Sequence, residues 1–316
     1  MELVFVVAED DMSWHMDLFL RVKRAARQPR TVEWYEAALR SFQDVAGGEW
    51  PPGPAHLLAF LETFEIRKLS DASRNTYFRA VRAWLNWLYR NRFIQHNPLD
   101  FIDGPGAARL LPKAPPPADV ARLLATVEAR ADSWQDWRDL ALFSLALDTG
   151  ARIGELAAMD LGDIDLGQQE IMVYGAKDRT ERVVEFDDSA ARDLGRWLRQ
   201  RAALKPARTL RRLFLSNYRA MGLRPLTHWG MRLRLKFWQM RAGIAPFRFH
   251  GFRHAYAIYS LRNNANLLDI KDQMGHASIK TTAIYLEVVN NNRKERHRQT
   301  SPRKNLPRID GEQTLC

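Results

Sequence analysis

The chain has 316 residues, a net charge of +11 and a charged fraction of 27%, which is the composition of a folded, basic protein with room for two domains. The positive charge favours a polyanionic partner, with nucleic acid before an anionic membrane. The single cysteine, Cys316, excludes an intramolecular disulfide and a thiolate metal cluster, and there is no apolar run long enough to span a membrane.

The N-terminal third predicts a helical domain over residues 1–104. Thr31 is expected to cap a helix with an apolar stripe, and three prolines between residues 51 and 54 break the chain. A longer helix is predicted over residues 72–91, with Val81, Trp84 and Leu85 on its core face. On another face the helix carries three arginines, for which solvation and DNA binding both stay open: Arg79, Arg82 and Arg90.

Residues 105–118 are predicted to be a linker, because glycine and proline recur there and a run of three prolines ends it. Arg109 and Lys113 lie in this segment. If the linker crosses a duplex, both can contact phosphates; otherwise they are solvated. We place the domain boundary here.

The second predicted domain covers residues 119–290. Asp119 is expected to cap its first helix, and Gly150 is expected to end the second. The strands expected at residues 171–174 and 183–186 form a hairpin with a basic tip. Further helices are expected at residues 152–159, 189–203, 227–242, 251–263, 267–274 and 279–289. The basic tail, residues 291–316, is a disordered arm, a DNA contact or a segment that docks on a neighbouring subunit.

Several short motifs in the second domain carry residues suited to phosphoryl transfer. They are residues 149–156 (TGARIGEL), 175–179 (GAKDR), 250–254 (HGFRH), 274–276 (MGH) and 281–286 (TTAIYL). Each motif alone is better explained by ordinary helix ends, solvated turns or core packing. Their order and spacing as a set are what carry information.

As a set, these motifs resemble the tyrosine recombinase, or phage integrase, family over residues 17–290. The resemblance implies a mainly α fold with a small antiparallel β-sheet, in which an N-terminal helical core-binding domain precedes the catalytic domain. It also implies the catalytic residues Arg152, Lys177, His250, Arg253, His276 and Tyr285. Met274 and the pair Leu286 and Glu287 depart from the commonest family pattern, which bears on the subfamily and not on the reaction.

The chemistry of these residue types agrees with the resemblance. Metal-free cleavage of a phosphodiester needs a nucleophile, charge neutralisation and a proton donor for the leaving oxygen. Tyr285 supplies the nucleophile, while Arg152 and Arg253 suit the non-bridging phosphate oxygens. Lys177 suits the general acid, with Arg179 close by as a DNA-binding residue. A phosphotyrosyl ester conserves the bond energy, so no cofactor and no metal are expected.

The remaining residues of the motifs have supporting roles or none. His250 orients the phosphate or acts as base toward Tyr285, and His276 binds a phosphate oxygen. Glu155 either holds Arg152 or His250 in place or is a solvated helix residue. His254 is expected to point elsewhere on its helix and is given no catalytic role.

The family implies strand exchange between two specific sites in double-stranded DNA by a homotetramer assembled on DNA, through a Holliday junction. We therefore expect a cytoplasmic, nucleoid-associated protein without membrane contact. Relaxation of DNA by a type IB topoisomerase and DNA binding by an inactive relative are the alternatives. The DNA site, the biological role and any accessory factor do not follow from the sequence.

Overall fold

A computed structural model of the chain describes residues 11–106, 111–175, 181–218, 222–289, 297–298, 301 and 303. It divides into two compact units, residues 1–110 and 111–316. The described residues are mainly helical with small antiparallel sheets, which confirms the predicted fold class. None of the described helices is long and apolar enough to cross a membrane. The boundaries at residues 104, 118 and 290 stay predictions.

The first unit is a helical bundle with an aromatic core. Phe42 packs edge to face on Phe60 and Trp84, with ring centroids 5.4 Å and 5.8 Å away. Such aromatic pairs add directional stabilisation to the burial of their area. The helices are α1 (Met12–Ala26), α2 (Pro29–Ala46), α3 (Pro54–Ile66) and α4 (Asp71–Arg90), and a 3-10 turn follows at Pro98–Asp100.

Helix α4 has the polarity that its sequence predicts. Ser70 caps the helix by accepting a hydrogen bond from the backbone N–H of Ser73. One face is buried, and the opposite face leaves three arginines exposed to solvent: Arg79, Arg82 and Arg90. The unit therefore presents a basic surface on α4.

The second unit surrounds α6, a helix that is buried on nearly all sides. Residues 138–146 of α6 are buried, and the helix packs against α5, α8 and α10. The elements of the unit are α5 (Pro117–Ala129), α6 (Trp134–Thr149), α7 (Ile153–Ala158), β1 (Ile164–Asp165), β2 (Glu170–Tyr174), β3 (Glu181–Glu185), α8 (Asp188–Ala203), β4 (Leu215–Tyr218), β5 (Gly222–Pro225), α9 (His228–Ala242), α10 (His250–Arg262), α11 (Leu267–Met274) and α12 (Ile279–Val289).

Two small antiparallel sheets accompany these helices. The first has the order β1-β2-β3, and its register places Ile171 opposite Val184. Alternate residues of β2, Ile171 and Val173, are buried in the core of the second unit. The second sheet pairs β4 with β5.

The structure corrects several sequence-based expectations. Thr31 lies inside α2, which begins at Pro29, so Thr31 is not the cap. Asp119 lies in the first turn of α5, since that helix begins at Pro117 within the predicted linker. Proline fits the first helical position because it has no N–H to leave unpaired there. Helix α1 and the β4–β5 hairpin were not predicted as elements.

Candidate active site

Arg152 lies at the junction between α6 and α7. Gly150 ends α6 with a left-handed backbone (φ 60°), and a Cβ there would lie 2.6 Å from the ring of Tyr256. Both facts favour glycine at this position. Arg152 then becomes the N-cap of α7, with 46% of its side chain exposed. The junction therefore presents a guanidinium at the surface of the second unit.

Glu155 is a buried carboxylate that binds two arginines. Its oxygens accept hydrogen bonds from the backbone N and the Nη1 of Arg152, at 2.8 Å and 2.9 Å. They also accept from Nη1 and Nη2 of Arg182 on β3, at 3.2 Å and 2.8 Å. Burial raises the pKa of Glu155, but the hydrogen bonds from both arginines and the charge of Arg182 outweigh it and lower the pKa overall. Glu155 is therefore ionised at neutral pH and fixes the position of Arg152.

Arg182 is a site residue that the sequence analysis missed. Besides Glu155, it binds the backbone carbonyl of Gln273 through Nε at 2.9 Å, and its side chain is largely buried. Gly275 makes room for it, since a Cβ on Gly275 would lie 2.7 Å from the guanidinium. Arg182 thus joins β3, α7 and the end of α11. Its sequence signal was weak, because an arginine on a short strand is usually solvated.

Arg253 is buried on α10, with 2% of its surface exposed. Its Nη1 donates to the carbonyl of Gly150 and its Nη2 to the carbonyl of Met274, both at 2.7 Å. These carbonyls lie at the ends of α6 and α11, where the helix leaves them without an internal partner. Burial, and then the charge of Arg152, lower the pKa of Arg253 to about 10, so it remains a cation at neutral pH.

His250 and His254 lie one turn apart on α10, and their ring centroids are 4.5 Å apart. His250 is the first residue of the helix and is exposed. Partial desolvation of its ring by the surrounding chain, followed by the charges of Arg253 and Arg152, lowers the pKa of His250. The ring is therefore predominantly neutral at neutral pH.

His276 follows the glycine that ends α11. Its Nδ1 lies 2.8 Å from Oγ1 of the buried Thr282. Burial, and then the charges of Arg253 and Arg152, lower the pKa of His276 to about 4. The contact fixes the imidazole beside the first turn of α12.

Tyr285 is buried on α12, with 3% of its surface exposed. Its hydroxyl lies 2.9 Å from Nδ1 of His254. Burial raises the pKa of Tyr285, and the charges of Arg253 and Arg152 partly oppose that effect. The phenol therefore keeps its proton at neutral pH and shares a hydrogen bond with His254.

The expectation that His254 points away from the site is wrong. Residues four apart lie on the same face of a helix, so His254 follows His250 toward α12. The spacing of the two histidines within the HGFRH motif was the signal that could have identified it.

Four further site residues were predicted in or near this unit. Lys177, Arg179 and Arg109 fall outside the described residues. Lys113 is described and exposed, and it lies before α5. Within the described ranges, no group of three histidine, cysteine, aspartate or glutamate side chains is arranged to hold a metal ion.

Comparison with known proteins identifies the family. The phage integrase family model matches residues 116–292. Tyrosine recombinase XerC from Haemophilus ducreyi is 30% identical over 274 residues, which cover 84% of this chain and 86% of the relative. Tyrosine recombinase XerD from Listeria monocytogenes is 28% identical over 299 residues, which cover 90% and 96% of the two chains.

Solved structures of low sequence identity share the fold. XerH site-specific recombinase, in a post-cleavage complex with a palindromic difH substrate, has a TM-score of 0.72 at 20% identity, with 90% of this chain and 83% of that chain covered. A lambda integrase tetramer bound to a Holliday junction has a TM-score of 0.67 at 14% identity, with 85% and 78% covered. The chain belongs to the phage integrase family, the family of the tyrosine recombinases.

Proposed function

We propose that the protein is a site-specific DNA recombinase that cuts and rejoins DNA through a covalent bond between Tyr285 and a 3′-phosphate. One observation carries the proposal. Arg253 joins the ends of two helices, because it donates to the carbonyls that lie two residues before Arg152 and two residues before His276. On the same helix, His250 lies one turn from His254, which contacts the hydroxyl of Tyr285. Two cations, two imidazoles and a phenol brought together in this way suit metal-free attack on a phosphodiester.

The two arginines bind the non-bridging oxygens of the scissile phosphate and stabilise the additional negative charge of the transition state. Both are held before DNA arrives, Arg152 by Glu155 and Arg253 by the carbonyls of Gly150 and Met274. Preorganisation of this kind lowers the barrier because the donors need not reorient during the reaction. His250 and His276 hydrogen-bond the same phosphate.

Tyr285 attacks the phosphorus, and the 5′-oxygen of the next nucleotide leaves. Lys177 donates the proton that the departing oxygen takes up. The phosphotyrosyl ester then retains the energy of the broken bond, so a 5′-hydroxyl from the partner duplex can reverse the step without a cofactor. Rejoining to the partner, and not to the original strand, produces recombination.

The substrate is double-stranded DNA with a specific site, held by a homotetramer that exchanges strands through a Holliday junction. Support comes from the XerC and XerD relatives and from the fold shared with recombinases solved on DNA. The charge of +11 and the exposed arginines of α4 provide a surface for phosphates. A cavity of about 690 Å³ that His250 helps to line has mainly apolar walls and also carries three basic side chains: Arg232, Lys236 and Arg248.

The test uses a suicide substrate, nicked just past the cleavage position so that the freed fragment dissociates. The parent protein is expected to form a covalent adduct in the presence of EDTA. Tyr285→Phe is expected to form none, while Tyr259→Phe, which removes a hydroxyl from another tyrosine of the same unit, keeps the parental yield. Adduct formation by Tyr285→Phe at the parental yield rules out Tyr285 as the nucleophile.

Strand exchange is measured separately, with two duplexes of different length that carry the same site. Recombinant products of exchanged length are expected, together with a complex of four protomers on two duplexes. Relaxation of a plasmid that lacks the site, with no exchanged product, would instead identify a topoisomerase.

A further inference from the structure

His254 contacts the atom that becomes bonded to DNA, yet the reaction described above gives it no role. We propose that His254 is a catalytic base, which takes the proton from the Tyr285 hydroxyl as the tyrosyl–phosphate bond forms. The inference rests on the proposed function, because it assigns the proton acceptor for the same nucleophile.

The geometry places His254 in direct contact with the nucleophile. Nδ1 of His254 and Oη of Tyr285 are 2.9 Å apart, and the ring planes are inclined by 57°. A hydrogen bond of this length is within the range required for proton transfer. The contact joins α10 to α12, two helices that pack directly against each other. The acceptor is therefore carried by the same helix as Arg253.

The protonation states match a transfer from tyrosine to histidine. Burial, and then the neighbouring His250 and Arg253, lower the pKa of His254 to about 4, so its ring is neutral at pH 7. Burial raises the pKa of Tyr285, so its phenol carries the proton. The Tyr285 hydroxyl can therefore donate to an unprotonated Nδ1, with the ring hydrogen of His254 on Nε2.

The other two histidines are placed for different contacts. Nδ1 of His276 shares a hydrogen bond with the hydroxyl of Thr282. His250 is exposed at the start of α10, where its ring is accessible to a phosphate. Among these three histidines, it is His254 whose Nδ1 lies within hydrogen-bond distance of the Tyr285 hydroxyl. We therefore assign the role of base to His254 and not to His250.

The cleavage step balances with this assignment. The Oη–H bond of Tyr285 breaks as the Oη–P bond forms, and the proton passes to Nδ1 of His254. The P–O5′ bond breaks, and the 5′-oxygen takes a proton from Lys177. In rejoining, the attacking 5′-hydroxyl returns its proton to Lys177, and the imidazolium of His254 protonates the departing tyrosyl oxygen.

A weakly basic imidazole can perform this step for two reasons. The phenolic proton becomes far more acidic as its oxygen bonds to phosphorus, so the transfer is driven by bond formation. The bound phosphodiester is also an anion beside Arg253, and its charge offsets one of the influences that disfavour the imidazolium.

The test is single-turnover cleavage of the suicide substrate by His254→Asn. Asparagine can hydrogen-bond the phenol but cannot accept its proton. Loss of a general base is expected to slow cleavage by about 100-fold or more. His228→Asn is the matched control, since His228 is an exposed histidine in the same unit. Its rate is expected to equal that of the parent, and thermal unfolding shows whether each variant is folded.

A second substrate separates the base from the acid. When sulfur replaces the bridging 5′-oxygen, the leaving thiolate needs no proton. Lys177→Ala is expected to cleave the unmodified substrate slowly and the sulfur substrate at close to the parental rate. His254→Asn is expected to cleave both substrates slowly. The unmodified protein provides a measurement free of folding effects: its cleavage of the sulfur substrate is expected to be slower in deuterated water, because the tyrosyl proton still moves.

Two results would overturn the inference. One is a His254→Asn rate within about threefold of the parent, well short of the effect of a lost general base. The other is an equal rate of the unmodified protein in light and deuterated water on the sulfur substrate. Neither result affects Tyr285 as nucleophile, which fails only if Tyr285→Phe still forms the adduct.

Discussion

Glu155 illustrates how much of the site depends on the charge of one buried side chain. Its carboxylate binds Arg152 on one side and Arg182 on the other, and 2% of the side chain is exposed. Removal of this charge leaves the largely buried guanidinium of Arg182 without compensation. The position of Arg152, and so part of the phosphate site, depends on this carboxylate.

For Glu155→Gln we expect the free energy of unfolding to fall by about 2–3 kcal/mol, because two arginines lose their charged partner. Cleavage of the suicide substrate should slow by about tenfold as Arg152 loses its fixed position. Urea unfolding and single-turnover kinetics measure the two effects. Glu65 forms an ion pair with Arg74 at the surface, and its own side chain is exposed. For Glu65→Gln the free energy of unfolding should fall by less than about 1 kcal/mol. Equal losses in the two variants would contradict this role for Glu155.

Histidine protonation predicts a pH dependence of stability. Burial, together with neighbouring charges, lowers the pKa values of His254 and His276 to about 4 in the folded chain, while in the unfolded chain both titrate near 6.5. Between these values the unfolded chain binds more protons, so the free energy of unfolding falls as the pH falls from about 6.5 to 4. Above pH 7 these two histidines do not make the free energy of unfolding depend on pH.

Urea midpoints measured from pH 8 to pH 4 test this expectation. Between about pH 6.5 and pH 4, the free energy of unfolding of the parent should fall by at least about 1 kcal/mol for each of the two histidines. A double variant, His254→Asn with His276→Gln, should show a shallower slope than the parent over the same range. Parallel curves would show that other groups control the acid sensitivity.

At the scale of elements, the ends of helices build the site. Gly150 and Gly275 end α6 and α11 in the left-handed conformation, and the carbonyls of Gly150 and Met274 bind Arg253. Gly275 also leaves the space that Arg182 fills. Each glycine thus serves both the turn and the packing of a neighbouring side chain.

Gly275→Ala is expected to destabilise the protein more than Gly243→Ala. Both glycines have positive φ near 60°, which costs about 1–2 kcal/mol for alanine. Nothing lies within 4 Å of a Cβ on Gly243, whereas a Cβ on Gly275 would meet the guanidinium of Arg182. Chemical unfolding should show the larger loss for Gly275→Ala, which should also cleave DNA more slowly. Equal losses would show that Arg182 moves aside without consequence.

Hairpin and helix patterns in the sequence predicted most elements of the second unit. Helices α11 and α12 have the bounds that were predicted, because Gly275 and the apolar spacing mark them clearly. The β4–β5 hairpin was missed, since its strands are four residues each and lack clear alternation. Thr31 and Asp119 were misplaced because a proline begins each of their helices two residues earlier.

The site was less predictable than the fold. The motifs and the resemblance identified Arg152, His250, Arg253, His276 and Tyr285, whose catalytic roles stay predictions. Two contacts of the site join residues that are far apart in the sequence. Arg182 and Gln273 are 91 positions apart, and His254 and Tyr285 are 31 positions apart. Local patterns cannot reveal such contacts, because they depend on how strands and helices pack.

At the scale of the whole molecule, the charge of +11 predicts binding to DNA that weakens strongly with salt. Arg79→Ala and Arg90→Ala remove exposed charges from one face of α4. Each should reduce the slope of log affinity against log salt by about one, if the residue contacts a phosphate. Arg40→Ala is the control, because Arg40 is already paired with Glu36. Titration of a labelled duplex at several salt concentrations gives the slopes. Unchanged slopes would show that these arginines of α4 do not contact DNA phosphates.

The central claim is that DNA becomes attached to Tyr285. Trypsin digestion of the trapped adduct, followed by nuclease treatment and mass spectrometry, tests it most directly. Tyr285 is the only tyrosine in the tryptic peptide of residues 281–293. We predict a residual nucleotide on that peptide, with fragment ions that place it on Tyr285. A nucleotide on the peptide of residues 254–262, which carries Tyr256 and Tyr259, or on any other residue would contradict the account.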